Sequence, residues 1–126
     1  MTDQVIINGH VIEAQAAITY EEQAKGLMFQ KDPKPMMFLY ATPSYNTFWM
    51  RDTPAPLDVV FALRNKVVGV RSGLPYSTAL IGVESASDLI VELPAGQAKK
   101  LDIKCGDSIS VKCSEQTLKR IVLQKL

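Results

Sequence analysis

The chain reads as mainly β: a compact β-sandwich or barrel-like domain with one or two short helices. Three observations point there. Short runs of alternating apolar and polar residues recur along the chain, each bounded by Gly, Pro, Asn or Asp. Helical spacing is confined to two brief stretches, near residues 20–28 and 94–101. At 126 residues the length is that of a single domain, 1–126, able to bury a core without disulfide or metal staples.

The first element is a hairpin, Val5 to Ile12, turned at Asn8-Gly9, because Asn-Gly supplies the positive φ angles of a two-residue type I′ turn. Thr19-Tyr20-Glu21-Glu22 is a capping box, so a short helix follows over about 20–28. Tyr20, Ala24, Leu27 and Met28 share one face of it. Gly26 marks its end or lets another segment approach closely. The prolines of 31–35 make a loop. Met36 to Tyr40 is an apolar strand and 41–46 a turn-rich loop.

Thr47 to Arg51 is strand-like, and Pro54 and Pro56 hold the next stretch extended. Leu57 to Leu63 and Lys66 to Arg71 form a hairpin about Arg64-Asn65. Residues 72–87 are mostly loop, with a short strand around 79–82. Leu89 to Leu93 alternates cleanly as a strand, 94–101 gives one or two helical turns, and Gly106-Asp107 turns into a strand over Ser108 to Cys113. The tail from Leu118 suits a helix through Leu118, Ile121, Val122 and Lys125, or a strand through Ile121-Val122-Leu123.

Bulk properties set several functions aside. Net charge is +1 without a long basic run, so no nucleic-acid partner is expected. No apolar window is long enough to span a membrane. The N-terminus lacks the basic and apolar regions of a secretory signal, so a cytoplasmic location is expected if the chain is complete. Cys105 and Cys113 do not have zinc spacing and read as reduced thiols. His10, beside the first turn, reads as a surface or cross-strand residue. One His and scattered acids give no metal cluster, and there is no nucleophile elbow, P-loop or dinucleotide fingerprint. No metal and no cofactor are expected.

The candidate site lies between Phe48 and Asp58, where the only tryptophan stands beside Arg51, Asp52 and two prolines. Residues two apart on a strand share a face. Phe48 and Met50 fall on one face, and Trp49 and Arg51 on the other. Leu57, Val59, Phe61 and Leu63 oppose Asp58, Val60 and Ala62. Leu89, Val91 and Leu93 oppose Ile90 and Glu92. If the three strands are neighbours, Trp49, Arg51, Asp58 and Glu92 line one concavity, the form of a small-ligand site. Bland roles also fit: Asp58 pinning a loop, Glu92 paired at the surface, and Trp49 anchoring the core.

The ordered motifs Gly26-Leu27-Met28-Phe29, Met36-Met37-Phe38, Phe48-Trp49-Met50-Arg51-Asp52-Thr53, Pro56-Leu57-Asp58, Val91-Glu92-Leu93-Pro94-Ala95-Gly96 and Cys105-Gly106-Asp107 resemble the DUF192 (UPF0127) family over about residues 5–113. The resemblance implies a β-sandwich or barrel-like domain with a short helix carrying Gly26, Leu27 and Met28. It marks Thr53, Pro56 and Gly96 as structural, and implies no reaction. Members often carry export signals. The chain departs from the family's usual pattern at Phe29 and Gln30, where a basic residue is usual, at Pro35, and at Arg51-Asp52. Residues 114–126 extend past the family's usual end.

Three functions follow as expectations. The first is a non-enzymatic module binding a small molecule or peptide beside Trp49, with Trp49 stacking and Arg51, Asp58 and Glu92 as polar contacts. The second is a hydrolase using an Asp58/Glu92 carboxylate pair, which needs the two groups in one cleft. The third is a protein-interaction module, whose mark is an exposed apolar patch.

Overall fold

The structure is a computed structural model that describes residues 1–124. It contains two sheets. One is the hairpin β1 (Gln4–Ile7) and β2 (His10–Glu13), with β8 (Ile109–Lys112) antiparallel on the other side of β1. The second has the order β3 (Gln15–Ala17), β4 (Met36–Ser44), β7 (Ser87–Pro94), β5 (Leu57–Leu63), β6 (Lys66–Gly73). Only the β3–β4 pairing is parallel; the rest of this sheet is antiparallel. The sheets meet where β2 runs through Ala14 into β3, and at a single bridge between Lys66 and Ser108. No continuous ladder closes them into a barrel among the described residues.

The expected turns form for the expected reasons. Asn8 and Gly9 have φ of 50° and 81°, and Arg64 and Asn65 have 48° and 67°, both in the left-handed pairing of a type I′ turn. Beyond the second turn, β5 and β6 slip register between Phe61 and Ala62, a bulge that bends the hairpin.

Thr19 caps α1 (Tyr20–Lys25): its side chain accepts from the Glu22 backbone, and the Glu22 carboxylate accepts from the Thr19 N–H. The helix is shorter than its periodicity suggested. It stops at Gly26, whose φ of 49° and ψ of −126° suit glycine. Gly26, Leu27 and Met28 therefore follow the helix and are not carried on it. Tyr20 and Leu27, expected to share one helical face, differ in burial: Tyr20 is exposed and Leu27 is buried.

Other corrections have equally local causes. β4 continues through Pro43 to Ser44, where a loop was expected. It is irregular between Leu39 and Ser44, and Ser44 pairs with Ser87. Thr47 to Arg51 forms no strand. It makes one isolated bridge, Phe48 to Ile81 of the 74–86 loop, and turns at once, with Thr53 N–H bonded to Met50 O and Asp52 at φ 55°. The tail takes the helical option, α3 (Glu115–Gln124), which makes a third helix after α2 (Gln97–Lys100). Asp3 holds the start of α3, accepting from Ser114 N–H at 2.7 Å and Thr117 Oγ1 at 2.6 Å. Lys125, assigned to the same helical face, lies outside the described residues.

The core is double. Val5, Ile7 and Ile109 of the small sheet pack on Met37, Val60, Val91 and Leu93 of the large one. On the other side of the large sheet, Phe38, Leu57, Val59, Phe61 and Ile90 are covered by Leu27, Met50 and Ala55. The central strands β5 and β7 are thus buried on both faces, as near-continuous apolar runs allow. His10 is exposed opposite Ile7, and Cys105 and Cys113 are free thiols. No helix among the described residues is long and apolar enough to cross a membrane.

Candidate functional site

A cleft of about 410 Å³ opens on the outer side of the large sheet. One wall is the end of α1 and the Gly26-Leu27-Met28 turn. The opposite wall is Thr47, Phe48 and Trp49, with Leu80 beside them. Phe38, Tyr40 and Glu92 of β4 and β7 form the floor. The volume is within the range of small-molecule sites.

Local sequence explains how each wall is held. Gly26 turns the chain sharply off α1, and a Cβ there would stand 3.5 Å from Glu92 Oε1 and 3.6 Å from Phe38 Cζ. The two walls are tied by Phe29 N–H donating to Asp52 O at 2.7 Å. Thr53, buried, donates its hydroxyl to Arg51 O and fixes the turn after Trp49. Met50 is 1% exposed and sits against Gly73, where a Cβ would lie 2.5 Å from the Met50 sulfur. Met50 is buried while its neighbour Trp49 is exposed at the cleft. Phe48 stacks edge-on with Phe38 and Phe61, centroids 5.0 and 6.1 Å away.

Glu92 is the unusual member. It is 4% exposed, and it lines the cleft. Removal from water pushes its carboxyl up to about 7. Tyr40, half-buried nearby, is pushed up to about 12 by burial and by the charge on Glu92. Two other polar side chains of the cleft wall are committed to the backbone. Gln23 donates to Ala17 O and Leu39 O, and Thr53 to Arg51 O.

The four residues singled out from alternation separate into three places. Trp49 and Glu92 both line the cleft. Arg51 stands beside it, with its guanidinium 5.4 Å from the Trp49 ring centroid and 3.8 Å from Asp52. Asp58 is on the other face of the sheet, where its Oδ2 accepts from Gly96 and Ala98 N–H, both at 2.9 Å. The register explains this: Asp58 is opposite Leu93, whereas Glu92 is opposite Val59. The apolar face of β5 and the mixed face of β7 are the same side of the sheet, so the expected Asp58/Glu92 pair does not share a cleft.

Of the motif residues, Gly26, Leu27, Met28 and Thr53 line the cleft. Pro56 and Gly96 do not: Pro56 O accepts from Ala95 N–H, and Gly96, at φ 95°, starts α2. Tyr40 and Phe48 were missed as site residues. Their apolar runs signalled core, and only the open end of the sheet leaves them at a cavity. Among the described residues, no three His, Cys, Asp or Glu side chains gather as a metal site would require.

The DUF192 family model, described as "Uncharacterized ACR", matches residues 4–111, most of the chain. The chain belongs to that family. It resembles the crystal structure of a protein of unknown function from Novosphingobium aromaticivorans, with 34% identity and a TM-score of 0.80, covering 85% of this chain and 83% of that one. It also resembles the structure of a protein from Sinorhizobium meliloti described as a "putative transcription regulator", with 23% identity and a TM-score of 0.79, covering 86% and 91%. The second likeness shows a shared fold. No curated protein matches.

Proposed function

We propose that this member of the DUF192 family is a binding module that takes a small organic ligand in the cleft between Gly26 and Trp49. The observation carrying this reading is a largely buried carboxyl, 4% exposed, that lines an aromatic-walled cleft. A mostly apolar cleft with one placed polar group has the form of a small-ligand site. Trp49 and Phe48 supply ring surface. Arg51 braces the Trp49 ring by cation–π attraction. Asp58 has a separate role as the anchor of α2.

Trp49 is the only tryptophan, so its emission reports on the cleft alone. Titration of a small-molecule library is expected to yield compounds that shift this emission and move the indole Nε1–H resonance, with both effects weakened in Phe48→Ala. A library in which no member moves either signal defeats the proposal.

A further inference from the structure

The chemistry of the cleft narrows its occupant. This step rests on the binding reading above and adds the ligand's head group. Glu92 is the only carboxyl among the residues lining the cleft, and it shares that lining with Phe38, Tyr40, Phe48 and Trp49. A carboxyl in a cleft lined by aromatic rings suits a cation: the carboxylate gives a charge-assisted hydrogen bond, and the rings add cation–π attraction. An anion would meet the like charge of Glu92.

We infer that the ligand carries an alkylammonium group that docks on Glu92, with its apolar remainder packed between Phe48, Trp49 and the Gly26-Leu27-Met28 turn. The titratable and charged groups facing Glu92 are few. Tyr20 and Lys25 stand on the α1 wall and Tyr40 on β4. Lys25 is exposed at the rim and makes no ion pair with Glu92. Tyr40 stays a neutral phenol. The ammonium competes with the proton for one site, so binding strengthens as pH rises through the range where Glu92 ionises.

The test uses three probes of one shape at about pH 8, where a carboxyl of pKa near 7 is mostly ionised: 2-phenylethylammonium, 2-phenylethanol and 3-phenylpropanoate. Binding is read from Trp49 emission and the indole resonance. The ammonium is expected to bind about tenfold more tightly than the alcohol, and the carboxylate most weakly. In Glu92→Gln the ammonium falls to the level of the alcohol, whose own affinity is unchanged. A lysine side chain offers the same head group, so Nα-acetyl-lysine methylamide is a second arm. If it binds more tightly than 2-phenylethylammonium, the head group is supported and its source is a peptide.

If the alcohol binds as well as the ammonium, or the preference survives Glu92→Gln, the ammonium assignment fails and the cleft remains a binding site. The same holds if none of these probes moves Trp49 while another library compound does. Silence of Trp49 toward the whole library removes both readings.

Discussion

Asp58 and Glu92 sit on adjacent antiparallel strands one residue out of step: Asp58 faces Leu93 across the ladder, and Glu92 faces Val59. That single step sends the two carboxyls to opposite faces of the sheet. One becomes a cap for α2 and the other the floor of a cleft. Each therefore has its own measurable consequence.

Glu92 makes stability depend on pH. Its carboxyl is raised from 4.5 to about 7 by burial, so the folded state holds the proton more tightly than the unfolded chain. The stability tied to this proton is fully present below about pH 4.5. It is lost as pH rises to about 7 and is flat above that. The shift corresponds to about 3 kcal/mol. Urea unfolding should show wild type weaker at pH 8 than at pH 5, and Glu92→Gln more stable than wild type at pH 8. Parallel pH profiles for the two proteins would contradict this.

Asp58 should behave as structure alone. Asp58→Ala leaves the N–H groups of Gly96 and Ala98 without their acceptor, and the loss of such a cap costs about 1–2 kcal/mol. Asp58→Asn keeps one acceptor oxygen and should lose less. Thermal melts measure both. Trp49 emission should stay at its wild-type maximum in each, because the site of change is across the sheet.

Gly26 has a backbone conformation that a side chain resists. Its φ of 49° with ψ of −126° is a region for glycine, and Gly26→Ala is expected to cost about 1–3 kcal/mol in chemical denaturation. The added methyl also projects toward Glu92 and Phe38. A ligand that fits the wild-type cleft should bind the variant more weakly than the stability loss alone explains, as judged at a temperature where both proteins are folded.

Gly73 controls Trp49 from the far side of Met50. A methyl at Gly73 would overlap the Met50 side chain, and Met50 is sealed in the core. Overpacking of this kind costs about 1–3 kcal/mol. Gly73→Ala should also shift the Trp49 emission maximum, since Met50 and Trp49 are adjacent in one short turn. An unshifted spectrum would show that Met50 does not set the position of the ring.

Much was readable before any coordinates. The Asn8-Gly9 turn, the Thr19/Glu22 capping box and the Leu57–Leu63 hairpin with its partner follow from local chemistry, because the residues that decide them are neighbours in the chain. The mainly β class and the inward orientation of Met50 and Leu57 followed in the same way. That the chain holds no long basic run was readable from the sequence alone. Trp49 and Glu92 were singled out from residue type and alternation, and both line the cleft.

What the chain could not reveal locally was parity between strands. Alternation states which residues of one strand share a face, yet it does not state which face of the next strand meets it. Only the hydrogen-bond register does that, and one residue of slip moves every side chain to the other side. Asp58 was therefore grouped with Glu92, from which the sheet separates it. Phe48 was read as core; it packs against the core and, with Tyr40, also lines the cleft. The sequence by itself determined the elements and the chemical groups available. The tertiary structure decided which groups meet, because that depends on pairing between segments far apart in the chain.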